Sequence, residues 1–243
     1  MKLITTILFL VVLCTTMQAA DGDPQHGLLT SVLTSHVSGG RIDYKAMKRD
    51  RRFAMYLTAL ATSRPDTMSA QQQKAFWINA YNAFAMKLVC DNYPLASIRE
   101  LDNGQILDRP MFQVGSVMYS LRSIVIEHLA PLRDHRIYTA LCFAARGCPP
   151  LPTRAYEAST LDAQLSEQAT RFVRDASLNT VNVAEHRMVL SRIFEWNLPA
   201  IGTTYEQLVA VVLPWYDATI ATGDGSARWT VEFSDFDWSL NGK

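Results

Sequence analysis

Cys148 is the residue whose type and setting could do the most chemistry. It stands in segment 146–150 (RGCPP), directly beside the arginine Arg146. A nearby cation lowers the pKa of a thiol and favours the nucleophilic thiolate. His128 or His135 would serve as the base, and Glu127 or an asparagine would orient the imidazole, as in Cys-His-Asn arrangements. These residues predict, as one hypothesis, a papain-like hydrolase or transferase that carries an acyl group on Cys148.

The apolar segment 74–87 (KAFWINAYNAFAMK) is the element that must position such residues. It holds no charge between its two lysines, which predicts a helix buried on most sides. Ser69 and Gln72 match a capping box, so the first turn is expected at Ala70, and Pro94 marks the far end. The sequence therefore predicts a central buried helix.

Two asparagines on this helix are further candidates. Asn79 and Asn82 lie three residues apart on one helical face and flank Tyr81. Buried amides need hydrogen-bond partners. Asn79, Tyr81 and Asn82 either line a binding site to which Arg146 also contributes, or the two amides bridge the helix to neighbouring loops.

The N-terminus has the features of a secretory signal peptide over residues 1–20. Lys2 precedes an apolar run, and the small residues Ala19 and Ala20 stand where cleavage would fall. Cleavage would release a secreted or periplasmic protein with a single domain over residues 21–243. No apolar run approaches the roughly 20 residues of a spanning helix, so no stable membrane span is expected.

The cysteine count does not suit a disulfide framework. Cys14 would leave with the signal peptide, so Cys90, Cys142 and Cys148 remain, an odd number for an oxidising compartment. Cys90 is expected to be a small core residue. The structural alternative for Cys148 is therefore a thiol that is either buried or bridged to Cys142.

Charge and motifs exclude several classes of function. The chain holds 23 Lys and Arg against 23 Asp and Glu, which argues against a nucleic-acid partner. It contains no Gly-rich phosphate loop, GxSxG elbow or HExxH motif, and no residues at metal-ligand spacing. Neither a metal nor a cofactor is expected.

The remaining periodicity predicts an α+β fold, a single domain with further helices and short antiparallel hairpins around the central helix. Helices are expected over residues 26–38, from the end of the RIDY segment to residue 60, from 120 to 131, from a Ser159–Asp162 capping box onward, and over 192–196 and 204–213. Hairpins are expected over 112–119, with a type II′ turn at Gly115, and around 185–186. The apolar run over 137–145 is expected to be an interior strand, with a short buried helix as the alternative, and a final strand is expected over 228–240.

Several segments resemble the domain-of-unknown-function 547 family over nearly the whole mature chain. They are 75–83 (AFWINAYNA), 123–133 (SIVIEHLAPLR), 136–151 (RIYTALCFAARGCPPL), 190–196 (LSRIFEW) and 235–241 (DFDWSLN). The resemblance implies an exported bacterial protein of a family without an established reaction. The chain departs from the family pattern at Tyr138, Phe143 and Gly147, where a histidine, a cysteine and a serine are usual.

These observations favour an exported, non-catalytic envelope module that binds a protein or a glycan partner. Exposed aromatic residues would mark its binding surface, and the candidates are Trp215, Tyr216, Trp229 and Trp238. Acyl transfer through Cys148 is the alternative. A histidine within hydrogen-bond reach of Cys148 would favour that enzyme.

Overall fold

The computed structural model describes residues 26–220 and 228–243 of the chain, and these form an α+β fold. The expected signal peptide lies outside the described residues. The helices are α1 (Gly27–His36), α2 (Tyr44–Met47), α3 (Arg51–Thr62), α4 (Ala70–Asn92), α5 (Leu121–Ile124), α6 (Leu161–Val173), α7 (Arg192–Trp196), α8 (Leu198–Ile201) and α9 (Tyr205–Tyr216). The strands are β1 (Val37–Ser38), β2 (Arg41–Ile42), β3 (Phe112–Val114), β4 (Val117–Tyr119), β5 (Thr180–Asn182), β6 (Arg187–Leu190) and β7 (Thr230–Phe233).

Helix α4 is the central helix that the sequence predicts. Its capping box is present, because the Ser69 hydroxyl accepts a hydrogen bond from the Gln72 amide and the Gln72 side chain accepts one from the Ser69 amide. Side chains are buried on all faces of its middle turns. It packs against α2, α3 and α5. The lack of charge in its sequence is therefore explained by burial around the whole circumference.

The strands form two hairpins and one three-stranded sheet. In the β3–β4 hairpin, Val114 pairs with Val117 across a two-residue loop, and Gly115 has the positive φ of 58° that such a turn needs. Strand β5 is antiparallel to β6, as predicted, but β7 pairs with β6 in parallel. Local patterns do not reveal a parallel pair, because its strands are joined by a long crossover.

The strand predicted over residues 137–145 is wrong. The chain forms a 3-10 turn over His135–Thr139 and then continues without regular structure. The side chain of Asn82 accepts a hydrogen bond from the Cys142 amide and donates one to the Ala140 carbonyl, at 2.9 Å each. One amide side chain thus replaces the partner strand that the apolar run would otherwise need.

Two predicted helix ends also differ. No Ser159–Asp162 capping box forms; α6 follows Thr160, whose side chain makes no capping bond, and the Asp162 carboxylate pairs with Arg136 at 2.8 Å. Helix α9 continues past the expected end at residue 213 to Tyr216, with Pro214 inside its last turn. Because proline has no amide hydrogen, the last turn of α9 lacks the hydrogen bond that residue 214 would otherwise donate.

The C-terminal segment (residues 236–242) runs beside the cysteine loop (residues 142–148). The amides of Arg146 and Gly147 donate to the carbonyls of Ser239 and Asp237, at 2.8 and 2.9 Å. A Cβ atom on Gly147 would lie 2.8 Å from the ring of Phe236, so this close approach requires glycine. The two segments are therefore held as one unit.

Two hydrophobic clusters make up the interior of the described chain. One surrounds α4, and the other lies among α6, α9 and β6. Val125, Phe143 and Phe236 pack against both clusters. None of the described helices has the length and apolar character needed to cross a membrane.

Candidate functional site

A cavity of about 610 Å³ opens where the two hydrophobic clusters meet. We call it the aromatic cleft, because five of its lining residues carry aromatic rings. Its volume lies within the range of about 300–1,000 Å³ that is typical of small-ligand sites. The five are Tyr81 from α4, Tyr138 from the 3-10 turn, Phe143 from the cysteine loop, Trp196 from the end of α7, and Trp238 from the C-terminal segment.

The two tryptophans form one wall of the aromatic cleft. The ring of Trp196 lies 5.6 Å from that of Trp238, and both lie within 5 Å of Phe236. Trp196 is 44% exposed although it is large and apolar. The backbone of Trp238 is fixed by a hydrogen bond of 2.7 Å from the Ser97 hydroxyl. The wall is therefore a held aromatic surface that faces solvent.

Two tyrosine hydroxyls supply polar atoms in the aromatic cleft. Tyr81 is 6% exposed and Tyr138 is 8% exposed, and neither hydroxyl has a hydrogen-bond partner among residues 26–220 and 228–243. Burial raises the pKa of both phenols, so each remains a neutral O–H that can donate and accept. The fully buried polar atoms without a partner in the described residues are His128 Nε2, His135 Nδ1 and Tyr156 Oη. The hydroxyls of Tyr81 and Tyr138 therefore reach the solvent of the cleft, where a ligand can bond to them.

Two further polar side chains lie at the aromatic cleft. Arg122 is exposed and pairs with the carboxylate of Asp108. Asn197 donates to the Ile193 carbonyl at 2.8 Å, so its side-chain oxygen is the atom that remains as an acceptor. The positive charge at the rim is already neutralised, which favours an uncharged ligand.

Cys142 and Cys148 are neighbouring buried free thiols, and each influences the pKa of the other. Cys142 accepts a hydrogen bond from the side-chain amide of Asn241 at 3.3 Å. The Cys148 thiol and the Asn241 amide lower the pKa of Cys142, whereas burial and the neighbouring Cys142 sulfur raise the pKa of Cys148. Cys142 is therefore the more acidic of the two thiols, which the sequence did not indicate.

Cys148 lines a second, polar cavity of about 330 Å³, which we call the thiol cavity. Arg41, Arg146, Asp237 and Asn241 are among its other walls, and no histidine lines it in the described part of the chain. Arg146 is exposed, and its Nε donates to the Leu240 carbonyl at 3.3 Å. Arg146 thus lies beside Cys148, as predicted, but its guanidinium group is hydrogen-bonded to the C-terminal segment.

The two candidate histidines lie at other places. His128 stacks on Trp77 and contacts the edge of Tyr119. Burial lowers the pKa of His128, and the exposed Glu127 offsets this only in part. His135 lines a surface cavity beside Asp134. The buried ring atoms His128 Nε2 and His135 Nδ1 have no hydrogen-bond partner among the described residues.

The asparagines of α4 contact backbone. Asn79 accepts from the Tyr156 amide and donates to the Tyr156 carbonyl, at 2.9 and 2.8 Å, and Asn82 binds Ala140 and Cys142 in the same manner. Both amides therefore bridge α4 to neighbouring loops. Of the predicted binding residues, only Tyr81 lines the aromatic cleft.

Sequence reasoning missed Trp196 and did not assign Phe143 or Tyr138 to a common site with Tyr81. The available signal was the position of Trp196, a large aromatic residue at the end of the short helix predicted over 192–196. Of the aromatic candidates, Trp238 lines the aromatic cleft, whereas Trp215 lines the cavity beside His135 and Trp229 contacts His186.

The fold and its cavities define the class: a small α+β module with an aromatic cleft and a buried thiol pair. Residues 65–173 match the sequence model of the family described as "Protein of unknown function, DUF547". Over these residues the match confirms the resemblance inferred from the motifs. No curated protein and no solved structure matches the chain. The matched residues contain α4, Tyr138 and both loop cysteines, while Trp196 and Trp238 lie beyond them.

Proposed function

We propose that this protein is an exported, non-catalytic envelope module that binds a glycan in the aromatic cleft. The observation that carries the proposal is the lining of the cleft, in which the hydroxyls of Tyr81 and Tyr138 lie beside the exposed ring of Trp196 and have no partner among the described residues. A ligand that enters the cleft can bond to both hydroxyls.

The chemistry of the walls favours a glycan over a protein partner. A sugar ring has an apolar C–H face and a polar edge of hydroxyls. The rings of Trp196 and Trp238 match the face, and the tyrosine hydroxyls with the Asn197 oxygen match the edge. A protein partner would need a contact area of about 800 Å² per side, whereas the candidate site is a concave cavity of small-ligand size.

The experiment is calorimetric titration of the protein with soluble oligomers of β-linked N-acetylglucosamine and of β-linked glucose. Trp196→Ala should weaken binding about tenfold or more, because a stacked aromatic ring contributes on the order of 1.4 kcal/mol. Tyr138→Phe should weaken it by a smaller factor, because it removes only a hydroxyl. Matched controls are Trp229→Ala and Tyr205→Phe, whose side chains lie outside the aromatic cleft.

Affinity that Trp196→Ala leaves unchanged, or the absence of saturable binding to either oligomer, would contradict the proposal. Turnover of an acyl ester that is abolished by Cys148→Ser would instead support the alternative function, acyl transfer.

A further inference from the structure

The two loop cysteines are both buried but differ in their relation to the thiol cavity. Cys148 lines this cavity, and Cys142 does not. A small reagent that enters the thiol cavity therefore meets Cys148 first. Asn241 also lines the cavity and donates to the Cys142 sulfur, which places Cys142 next to this site.

The position of Cys142 is fixed from both ends. Its backbone amide donates to Asn82 at 2.9 Å, and its sulfur accepts from Asn241 at 3.3 Å. The orientation of the Asn241 amide is set in turn, because its oxygen accepts a hydrogen bond of 2.7 Å from the buried Tyr44 hydroxyl. The Cys142 sulfur is thus held in place by a chain of hydrogen bonds.

We propose that Cys142 and Cys148 form a two-electron redox site that exchanges with small-molecule disulfides, with Cys148 as the attacking thiol and Cys142 as the resolving thiol. The proposal is independent of glycan binding in the aromatic cleft. The thiol cavity gives access to Cys148, and the Asn241 amide that lines the same cavity holds the Cys142 sulfur. A disulfide between them requires their sulfurs to approach to bonding distance within one loop.

The exchange takes place in two steps. Cys148, after losing its proton to solvent, attacks one sulfur of the small disulfide R–S–S–R, and one R–SH leaves. Cys142, likewise deprotonated, attacks the Cys148 sulfur of the mixed disulfide, and the second R–SH leaves. The two cysteines are oxidised to one disulfide, and the small disulfide is reduced to two thiols.

The surroundings of Cys148 predict a slow first step. Burial raises the pKa of Cys148, so little thiolate is present at neutral pH. The second step is favoured, because Cys142 is the more acidic thiol and belongs to the same loop as the sulfur that it attacks. We therefore expect the protein-bound disulfide, rather than the mixed disulfide, to accumulate.

The chain offers a direct test, since trypsin cleaves after Arg146, between the two cysteines. The folded protein is incubated with hydroxyethyl disulfide, alkylated and digested without reductant. The expected product is one disulfide-linked pair of peptides, 137–146 with 147–154, which dithiothreitol separates. Cys90, which is carried on peptide 88–99, should remain a free thiol. Three unmodified thiols after prolonged incubation would overturn the proposal.

Two variants test the division of roles. Cys142→Ala should hold a stable mixed disulfide on Cys148, and Cys148→Ala should gain at least tenfold less adduct on Cys142 over the same time. Equal labelling of the two variants would overturn the assignment of attacking and resolving thiols. Cys90→Ala is the matched control and should form the linked peptides at the rate of the unaltered protein. The oxidised protein should also unfold at a temperature about 5 °C higher, because the bond closes a loop in the unfolded chain.

Discussion

The imidazole of His128 lies flat on the indole of Trp77, with ring centroids 3.7 Å apart and ring planes 5° apart. The edge of Tyr119 contacts the same imidazole at a centroid distance of 5.2 Å. His128 is therefore packed as a flat aromatic residue between two others. A charged imidazole would lose part of its hydration in this position, which is why burial lowers its pKa.

The lowered pKa of His128 predicts acid destabilisation. The folded protein holds the proton less tightly than the unfolded chain, so the stabilising effect is complete above the unfolded pKa of 6.5 and is lost as pH falls below it. His128→Phe keeps a flat ring on Trp77 and removes the titration. Thermal unfolding between pH 7.5 and pH 5 should show a smaller loss of stability in this variant. Identical pH dependence in the two proteins would contradict the interpretation.

Asn82→Leu should lower the free energy of unfolding by about 1–3 kcal/mol, because the Cys142 amide and the Ala140 carbonyl would stay buried without partners. Urea unfolding measures the change. Gln71→Leu, at an exposed position in the first turn of the same helix, is the matched control and should change stability by no more than about 0.5 kcal/mol. Equal effects of the two substitutions would mean that the Asn82 bridge does not stabilise the fold.

Asp134 lies between two cations, Lys74 and Arg136. Burial alone would raise the pKa of its carboxyl, but hydrogen bonds from Arg136 and Lys74 bring it well below its ordinary value. Asp134→Ala should therefore cost about 1–3 kcal/mol, since it leaves two half-buried cations without their shared partner. The matched control Asp66→Ala breaks an exposed pair with Arg64 and should cost no more than about 0.5 kcal/mol. Chemical denaturation distinguishes the two, and a neutral Asp134→Ala would refute the role of this triad.

The leader sequence predicts that the native mature protein begins close to Asp21. Mass spectrometry of protein isolated from its source would check this, because cleavage near Ala19 or Ala20 leaves a defined N-terminal peptide. A mature protein that retains Met1 would contradict export through this leader.

The central helix was predictable because its signals are local. The capping box at Ser69 and the absence of charge over residues 74–87 both lie within one element. The strand expected over 137–145 was wrong because an apolar run shows burial without showing its hydrogen-bond partner. That partner is Asn82, a side chain from a different part of the chain.

The aromatic cleft was not predictable in the same way. Tyr81, Tyr138, Trp196 and Trp238 come from four separate segments and meet only in the folded chain. Likewise, the proximity of Cys142 to Cys148 was one of two alternatives, while the part of Asn241 in orienting the pair depends on the C-terminal segment. Local sequence patterns indicate which residue types could form a site, but they do not show which distant segments lie close together in the fold.

The C-terminal segment joins parts of the chain that are far apart in sequence. Asn241 binds Tyr44, 197 residues earlier, and Cys142, 99 residues earlier. During synthesis from the N-terminus, residues 236–242 emerge after every segment that they hold, and contacts of such large sequence separation form slowly. The hydrogen bond from Asn241 to Cys142 therefore cannot form until about a hundred further residues have been made. In that interval the C-terminal segment does not cover the cysteine loop, so a chaperone or an oxidant reaches its thiols more easily than in the folded protein.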